Sequence, residues 1–342
     1  MPVIRARFLP GLVLSALLCG STLCSADPIR PKVMILATFP GEVRDWVERE
    51  KLTHSLPIPG VAEPLRYNDQ GVYAMVTGTC NRSGLAVMAL GLDPRFDLTH
   101  TYFMMAGIAG VDPKMGCVGC AAWARWIVDG DNVNEIGAKD YPPDWPYGIL
   151  PYGATEPDKF SPMGDWSQKP MAFRLDPGLV AWAYDLTKGV ALTDFPETAA
   201  MRARYAEPAA RRAPFVLLGD TLGTARYWHG PQLTLWAEQW VSLYTHGKGQ
   251  FVMTECEDQS VAYALTMLGK AGRVDPRRFL DLRTASNYCE PPPGESVVQS
   301  LLTGEQQGAL LAFESAYRVG SPVVHALVQH WNQYESTLPA AP

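Results

Sequence analysis

A chain of 342 residues can form one large domain or two small ones, and 47% hydrophobic with 19% charged residues is typical of a globular protein with a sizeable core. The formal net charge of −6 argues against nucleic acid as a partner, because phosphate backbones attract basic surfaces. After the N-terminal leader, no window has the ~20 unbroken apolar residues of a membrane-spanning helix.

The first 26 residues have the pattern of a signal peptide. Arg5 and Arg7 give a basic start, Leu12 to Leu18 is a short apolar stretch, and Cys24-Ser25-Ala26 supplies small residues at a cleavage point. The sequence therefore predicts an exported protein, secreted or periplasmic, whose remaining residues 27–342 form one domain.

Strand and helix patterns alternate in the first third of the mature chain. We predict strands at Val33–Ala37 and Val72–Val76, and helices at Val43–Glu50 and Ser83–Gly91. Such alternation favours an α/β fold with a mixed sheet.

The stretch from Thr101 to Asp131 is the most informative. The apolar run Tyr102–Ala106 is followed by Gly107-Ile108-Ala109-Gly110, and a second apolar run covers Val118–Val128. We interpret these as a buried strand, a glycine corner and a returning strand. A glycine corner at a strand's carboxyl end lets a ligand approach the backbone, although a tight turn in any α/β protein has the same pattern.

Five cysteines remain after cleavage of the leader. Cys117 and Cys120 have redox or zinc spacing, but no second pair and no nearby histidine accompany them. A packed pair or a structural disulfide is the better interpretation, and we expect neither a metal nor a cofactor.

Residues 131–175 are rich in Pro, Gly, Trp and Asp, and they predict a loop-rich insertion that is either a lid or substrate rim, or an ordered surface excursion. Regular patterns then resume. The predicted strands are Phe215–Gly219, Gly249–Thr254 and Phe279–Thr284. The predicted helices begin at Asp176-Pro177 and cover Gln232–Tyr244, Ser260–Lys270, Glu305–Tyr317 and Pro322–Gln333.

Five blocks, in this order, resemble the purine nucleoside permease family, whose core is similar to the nucleoside phosphorylase and nucleosidase superfamily. They are KVMILATFPGEV (32–43), the 101–131 stretch, GDTLGTARYW (219–228), VMTECEDQ (252–259) and LRTASN (282–287). The resemblance implies a three-layer α/β fold with a central mixed sheet flanked by helices.

In the superfamily, a glutamate after the first strand positions or activates the attacking water, and Glu42 matches it. A carboxylate at a strand end can act as a general base, and the same residue would also suit the start of a helix. Gly107 and Ile108 match a substrate-binding Gly-Ser-Ala-Gly corner, with Ile108 in the serine's place.

The resemblance also implies contacts to a base. Tyr227 matches an aromatic residue that stacks on the purine, although core packing is an equally ordinary role for tyrosine. Asn287 matches the residue that hydrogen-bonds the N7 region as the glycosidic bond breaks. An amide is not a strong acid, which fits 6-oxopurines such as inosine better than adenosine.

Contacts to the sugar are implied in the VMTECEDQ block. Glu255 matches the glutamate that accepts hydrogen bonds from the 2′ and 3′ hydroxyls, and Thr254 and Asp258 are included as substrate-binding residues. Glu257 and Asp258 are typical of the permease family, and either could instead cap the next helix.

For the nucleophile, the residues favour water over phosphate. Arg44 is the candidate phosphate ligand, with Arg82 and His100 as substitutes, but the strand before the glycines has no arginine and Ile108 has no hydroxyl. We therefore expect an exported purine-nucleoside-binding protein that hydrolyses the N-glycosidic bond, with inorganic phosphate left open as a second substrate. The alternative is a non-catalytic periplasmic binding protein that serves a separate transporter. A homo-oligomer is compatible with either.

Overall fold

A computed structural model describes residues 27–164 and 170–341, with the side chains of residues 304–307 excepted. The predicted signal peptide, residues 1–26, lies outside the described residues. Across the described residues, no helix has both the length and the apolar character needed to cross a membrane.

Strands and helices alternate through most of the chain. The strands are β1 (Val33–Ala37), β2 (His54–Leu56), β3 (Leu65–Tyr67), β4 (Val72–Val76), β5 (Tyr102–Val111), β6 (Ala121–Asp129), β7 (Asn134–Glu135), β8 (Ile149–Leu150), β9 (Ala172–Arg174), β10 (Val216–Gly223), β11 (Phe251–Glu255) and β12 (Phe279–Tyr288). The helices are α1 (Pro40–Arg49), α2 (Asn81–Leu92), α3 (Pro177–Thr187), α4 (Pro196–Arg202), α5 (Pro231–Tyr244), α6 (Asp258–Lys270), α7 (Val297–Gln329) and α8 (Trp331–Tyr334).

The central sheet is mixed, as the sequence predicts. Its strand order is β11-β10-β6-β12-β5-β1-β4-β3-β2, with β9 on β6. Strand β12 runs parallel to β5 and antiparallel to β6, and β11 pairs back onto β5, so that β5, β12, β6, β10 and β11 form a closed ring. The all-buried sequence VMILA of β1 is typical of a strand that is covered on both faces.

Helices cover both faces of β12. Arg283 pairs with Asp258 on α6, whereas the next residue, Thr284, donates a hydrogen bond to the Ala312 carbonyl of α7. Because successive side chains of a strand point to opposite faces, α6 and α7 lie on opposite sides of the sheet. The predicted three-layer α/β architecture is confirmed.

The predicted glycine corner is wrong. β5 continues without a turn through Gly107 to Val111, and the chain turns later, where the Met115 N–H donates to the Asp112 carbonyl. The returning strand β6 is not adjacent to β5, since β12 lies between them. Glycine at position 107 meets a packing requirement instead: an added Cβ would lie 2.4 Å from Nη1 of Arg283.

The two predicted C-terminal helices form one helix, α7, which continues through Pro322. A proline inside a helix removes one hydrogen bond and crowds the preceding turn. Here the surrounding face is fully packed, since Val319, Val323 and Val324 are all completely buried. Tertiary burial therefore outweighs the local preference of proline for a helix end.

The described residues of the insertion at 131–175 pack on α5, and none of them lines the cleft described below. Tyr147 and Ile149 are buried in a cluster with Trp236 and Trp240, and Phe160 meets Tyr244 edge to face at 5.3 Å. Among its described residues, the lid interpretation is therefore not supported. Asp131 accepts hydrogen bonds from the Ala225 N–H, in the segment that follows β10, and from the Gln259 amide of α6.

Candidate functional site

A cleft opens where β5, β11 and β12 end, beside the first turns of α1 and α6. Ligands of α/β proteins commonly bind at the carboxyl ends of sheet strands. The cleft is lined by Thr38, Phe39, Glu42, Thr79, Ile108, Ala109, Gly110, Arg226, Tyr227, Trp228, Thr254, Glu255, Cys256, Glu257, Ser286 and Asn287. Six residues predicted for the site from the sequence are among them.

Glu42 lies in the first turn of α1, and its carboxylate is held by three donors. Oε2 accepts hydrogen bonds from the backbone N–H of Thr38 at 2.6 Å and from its hydroxyl at 2.8 Å, and Oε1 accepts the Ile108 N–H at 2.7 Å. Burial raises the pKa of Glu42, while the positive charge of Arg283 and these hydrogen bonds oppose the rise. The arrangement fixes a carboxylate in the cleft wall.

Arg283 is the residue that the sequence analysis missed. It lies in β12 opposite Gly107 of β5 and is buried, and its Nη1 donates to the Ile108 carbonyl at 2.9 Å. Asp258 binds the guanidinium at two points, with Nε–Oδ2 at 2.9 Å and Nη2–Oδ1 at 2.5 Å. An arginine within a predicted core strand was the available signal, because arginine is almost never fully buried without a partner.

Glu255 ends β11, and its side chain lies at the floor of the cleft. Oε2 accepts the backbone N–H groups of Glu257 at 2.5 Å and of Asp258 at 2.7 Å, and Oε1 accepts the Thr221 hydroxyl at 3.2 Å. Glu255 therefore satisfies the N-terminus of α6, a task that the sequence analysis had offered to Glu257 or Asp258. Oε1 accepts a single hydrogen bond among the described residues, so it retains capacity for a ligand hydroxyl.

Asp258 and Asp281 lie beneath the cleft and do not line it. Asp258, predicted from the sequence to bind substrate, instead pairs with Arg283 in this structure. Asp281 is fully buried with Arg283 Nε 3.9 Å away, and its carboxyl group contacts that of Asp258, a pair that shares a hydrogen bond only when one of the two carries a proton. Burial, with the neighbouring Asp258 charge, raises the pKa of Asp281 well above its ordinary value.

The Arg283 guanidinium thus interacts electrostatically with five carboxyl groups, those of Glu42, Glu255, Glu257, Asp258 and Asp281. Burial raises the pKa of Glu255 well above its ordinary value, and Asp258 and Glu257 add to the rise. Burial works against the charged form of Arg283, but the carboxylates outweigh it and raise the pKa of Arg283 further. Because Glu257 and Asp258 already bind the one guanidinium, little of its charge is left for a further anion.

Asn287 and Tyr227 meet on the opposite wall. The Asn287 amide nitrogen donates to the Tyr227 hydroxyl and to the Tyr288 carbonyl, both at 3.0 Å, and its oxygen accepts the Ser286 hydroxyl at 2.8 Å. Asn287 is buried, whereas Tyr227 is 48% exposed, so that the ring faces the opening. The pair offers an aromatic surface beside a fixed amide.

Three other predicted residues contribute differently from what the sequence suggested. Thr254 lines the cleft, but its hydroxyl donates to the Leu222 carbonyl at 3.1 Å. Ile108 contributes its backbone N–H and carbonyl as well as its side chain. Gly107 is not part of the lining and instead makes room for Arg283.

The predicted phosphate ligands do not come together. Arg44 does not line the cleft; its side chain is 53% exposed, and its Nε lies 3.7 Å from Asp45. Arg82 is exposed on α2, with a long contact of 3.5 Å to the Thr79 hydroxyl. His100 bonds the Glu335 carbonyl outside the cleft. The structure therefore gives no support to Arg44 as a phosphate ligand in this cleft.

Cys117 and Cys120 form a disulfide, which agrees with the structural interpretation of this pair. Cys80, Cys256 and Cys289 are unpaired as thiols. Within residues 27–164 and 170–341, no group of three or more His, Cys, Asp or Glu side chains is arranged to hold a metal ion.

The sequence and the fold of this chain are similar to those of known proteins. Residues 30–339 match the sequence profile of the family described as purine nucleoside permease. The chain is 29% identical over 318 residues to the purine nucleoside permease of Candida albicans, covering 90% of this chain and 77% of that protein.

Two solved structures from Helicobacter pylori share the fold. The 5′-methylthioadenosine/S-adenosylhomocysteine nucleosidase is 15% identical with a TM-score of 0.52, covering 86% of this chain and 99% of that one. Futalosine hydrolase is 16% identical with a TM-score of 0.52, covering 86% and 98%.

Proposed function

The chain belongs to the purine nucleoside permease family, and we propose that it binds a purine nucleoside in this cleft and hydrolyses the N-glycosidic bond. The observation that carries the proposal is the meeting of a fixed carboxylate, Glu42, with the Asn287–Tyr227 pair across one cleft whose floor is Glu255. Each of these groups suits a different part of a nucleoside.

In this proposal the base lies on Tyr227, and its N7 receives the Asn287 N–H that otherwise goes to the Tyr227 hydroxyl. Glu255 Oε1, with its remaining acceptor capacity, takes a hydrogen bond from the ribose diol. The sugar is then oriented with C1′ toward Glu42.

Glu42 acts as the general base. Its carboxylate takes a proton from water as the water oxygen bonds to C1′, the C1′–N9 bond breaks, and the electron pair leaves with the base, which gains a proton from solvent. Three donors hold Glu42 and leave the rest of its acceptor capacity for the attacking water. The products are free ribose and the purine base.

Water is the favoured nucleophile because the cleft is acidic. Glu42, Glu255 and Glu257 all line it, and Arg283 is already bound by Asp258. A phosphate dianion beside several carboxylates at low dielectric would be repelled strongly.

Asn287 also supports a second candidate, a non-catalytic nucleoside receptor that delivers its ligand to a transporter. Its amide can hydrogen-bond a base but cannot protonate it as a strong acid would, and binding alone needs no more.

In either case we propose that the protein is exported. A mature N-terminus near Asp27, measured by mass spectrometry of the native product, would support export, and a retained Met1 would contradict it.

The deciding experiment incubates purified protein with inosine, with and without inorganic phosphate. Hydrolysis predicts free ribose and hypoxanthine in phosphate-free buffer. Ribose 1-phosphate formed only when phosphate is added would overturn the water mechanism. Tight inosine binding without cleavage in either buffer would favour the receptor.

A further inference from the structure

Glu257 is a buried carboxylate that the proposed hydrolysis does not use. It lines the cleft one residue before α6, with a side chain only 7% exposed. Although it occupies the N-cap position of α6, its side chain makes no capping hydrogen bond there, because Glu255 accepts the helix N–H groups instead. Its carboxylate is directed to other donors.

The donors to Glu257 are of the kinds that commonly bind free anions in proteins. Nη2 of Arg283 donates to Oε2 of Glu257 at 3.1 Å, and the backbone N–H of Cys80, at the N-terminus of α2, donates to Oε1 at 3.3 Å. A guanidinium combined with the N-terminal amide of a helix is a common binding arrangement for phosphate. In this cleft the chain's own carboxylate occupies it.

We propose that Glu257 is an internal anion that fills the position of an attacking phosphate and so restricts the cleft to water as the nucleophile. This inference rests on the proposed function, because it concerns the second substrate of the same site. Glu257 is then a specificity-determining residue for the nucleophile.

The surroundings are consistent with this role. Burial raises the pKa of Glu257, Arg283 opposes the rise, and Asp258 and Glu42 add to it, so that Glu257 and Glu42 lie within electrostatic reach. Removal of the Glu257 charge would leave Arg283 in place, because Asp258 still holds the guanidinium at two points. The Arg283 Nη2 and the Cys80 N–H would then lose the acceptor that Glu257 provides, while Asp258 keeps the guanidinium in position beside the cleft.

The chemical consequence is a change of co-substrate. An oxygen of hydrogen phosphate would bond to C1′ of the nucleoside as the C1′–N9 bond breaks. The base would leave with the bonding electron pair and take up the proton of the hydrogen phosphate. Ribose 1-phosphate and the free base are the products, and no further reactant is needed.

The experiment compares the wild type with Glu257→Ala, which removes the side chain, and Glu257→Gln, which keeps its size without its charge. Glu48→Gln, on the exposed face of α1, is the control for the loss of one carboxylate. Each protein is mixed with inosine and increasing inorganic phosphate, and ribose and ribose 1-phosphate are measured separately. Thermal unfolding with phosphate alone measures phosphate binding without any chemistry.

We expect phosphate to leave the wild type and Glu48→Gln unaffected. In the Glu257 variants we expect phosphate to bind at least about tenfold more tightly, equivalent to 1.4 kcal/mol, and ribose 1-phosphate to form. Folded Glu257 variants that neither bind phosphate nor form ribose 1-phosphate would overturn the inference. Saturable stabilisation of the wild type by phosphate would also overturn the inference, and this result does not depend on whether the variants fold. If no protein cleaves inosine but phosphate stabilises only the Glu257 variants, the proposed hydrolysis fails and the internal-anion assignment stands.

Discussion

Gly107 and Arg283 lie opposite each other in the parallel pair of β5 and β12, and a Cβ on residue 107 would come within 2.4 Å of the Arg283 guanidinium. The same Cβ would lie 2.8 Å from Oε1 of Glu42. The absence of a side chain at 107 therefore allows a buried cation and a buried carboxylate to approach one strand together.

This relationship predicts that Gly107→Ala disturbs both groups. Overpacking of a buried position typically costs about 1–3 kcal/mol, and here the displaced atoms belong to the cleft. We expect a lower melting temperature and a loss of nucleoside cleavage or binding. Gly189→Ala is the matched control, because nothing lies within 4 Å of its added Cβ. Equal behaviour of the two variants would contradict the packing argument.

Gly107 also shows why the sequence predicted the strands around the cleft but not the course of the chain at residues 107–110. The β1, β4, β11 and β12 regions and their alternation with helices follow from apolar runs, and the structure has strands at those places. Glycine occurs both in turns and at positions where a neighbouring side chain needs space. The sequence alone therefore does not distinguish a turn from a continuous strand at residues 107–110. The partner that decides the question, Arg283, is 176 residues away along the chain.

Likewise, Glu42, Glu255 and Asn287 were identified as candidates because their sequence blocks resemble those of the family. The protonation states of these groups could not be predicted from the sequence, because they depend on burial and on charges contributed by other elements. Asp258 shows the limit: its position next to Glu255 suggested a ligand contact, but the turn of α6 directs it to Arg283 instead.

Glu42→Gln should lower kcat far more than it raises KM, since a general base acts mainly in the transition state and typically contributes about 10²–10⁴-fold. Because Gln has one acceptor oxygen where Glu42 meets donors on both oxygens, stability should be measured alongside, with Glu48→Gln as control. A variant that retains full kcat would exclude Glu42 as the base.

The pH dependence of the wild type provides a separate check on Glu42. Burial raises its pKa above the ordinary 4.5, and only the ionised form accepts a proton from water. Activity should therefore fall as the pH decreases through a value above 4.5, and the acid limb should disappear in Glu42→Gln. A rate that stays constant below pH 4.5 would not fit this assignment.

Glu255→Gln should weaken ribonucleoside binding without unfolding the protein. The amide oxygen can still accept the N–H groups of Glu257 and Asp258, while the amide nitrogen faces the Thr221 hydroxyl, which can accept a hydrogen bond. Loss of a charged hydrogen bond costs about 1.5–3 kcal/mol. Calorimetric titration with inosine and 2′-deoxyinosine should show a smaller difference between the two ligands in the variant. An unchanged difference would remove Glu255 from the sugar site.

Asn287→Asp should shift base preference toward adenosine. The position faces the base side of the cleft beside Tyr227, and an aspartic acid there could supply the proton that an amide cannot. The measured quantity is the ratio of adenosine to inosine cleavage, which we expect to rise, with Tyr227→Phe as a control that changes the same contact without adding an acid. A ratio that is unchanged or lower would argue that Asn287 does not contact the leaving base.

Asp281→Asn should stabilise the protein at neutral and alkaline pH. Asp281 is fully buried beside the Asp258 carboxyl group, and burial raises its pKa well above the unfolded value. The folded state therefore retains a proton that the unfolded state releases. The contribution of Asp281 to the free energy of unfolding is fully present below the unfolded pKa. It is lost as the pH rises toward the folded pKa, at about 1.4 kcal/mol per pH unit.

Asparagine does not titrate, so its advantage over Asp281 should grow with pH and vanish in acid. The matched variant is Asp220→Asn, since Asp220 is equally buried but accepts the backbone N–H groups of Trp126 at 3.0 Å and Gln250 at 2.6 Å, and pairs with Arg125 at 2.8 Å. That change should destabilise by about 1–3 kcal/mol, because an amide nitrogen would face these donors. Melting temperatures measured across a pH series decide the matter. If Asp281→Asn melts below the wild type at alkaline pH, Asp281 is ionised and held by Arg283, and the assignment of a buried neutral acid beneath the cleft is wrong.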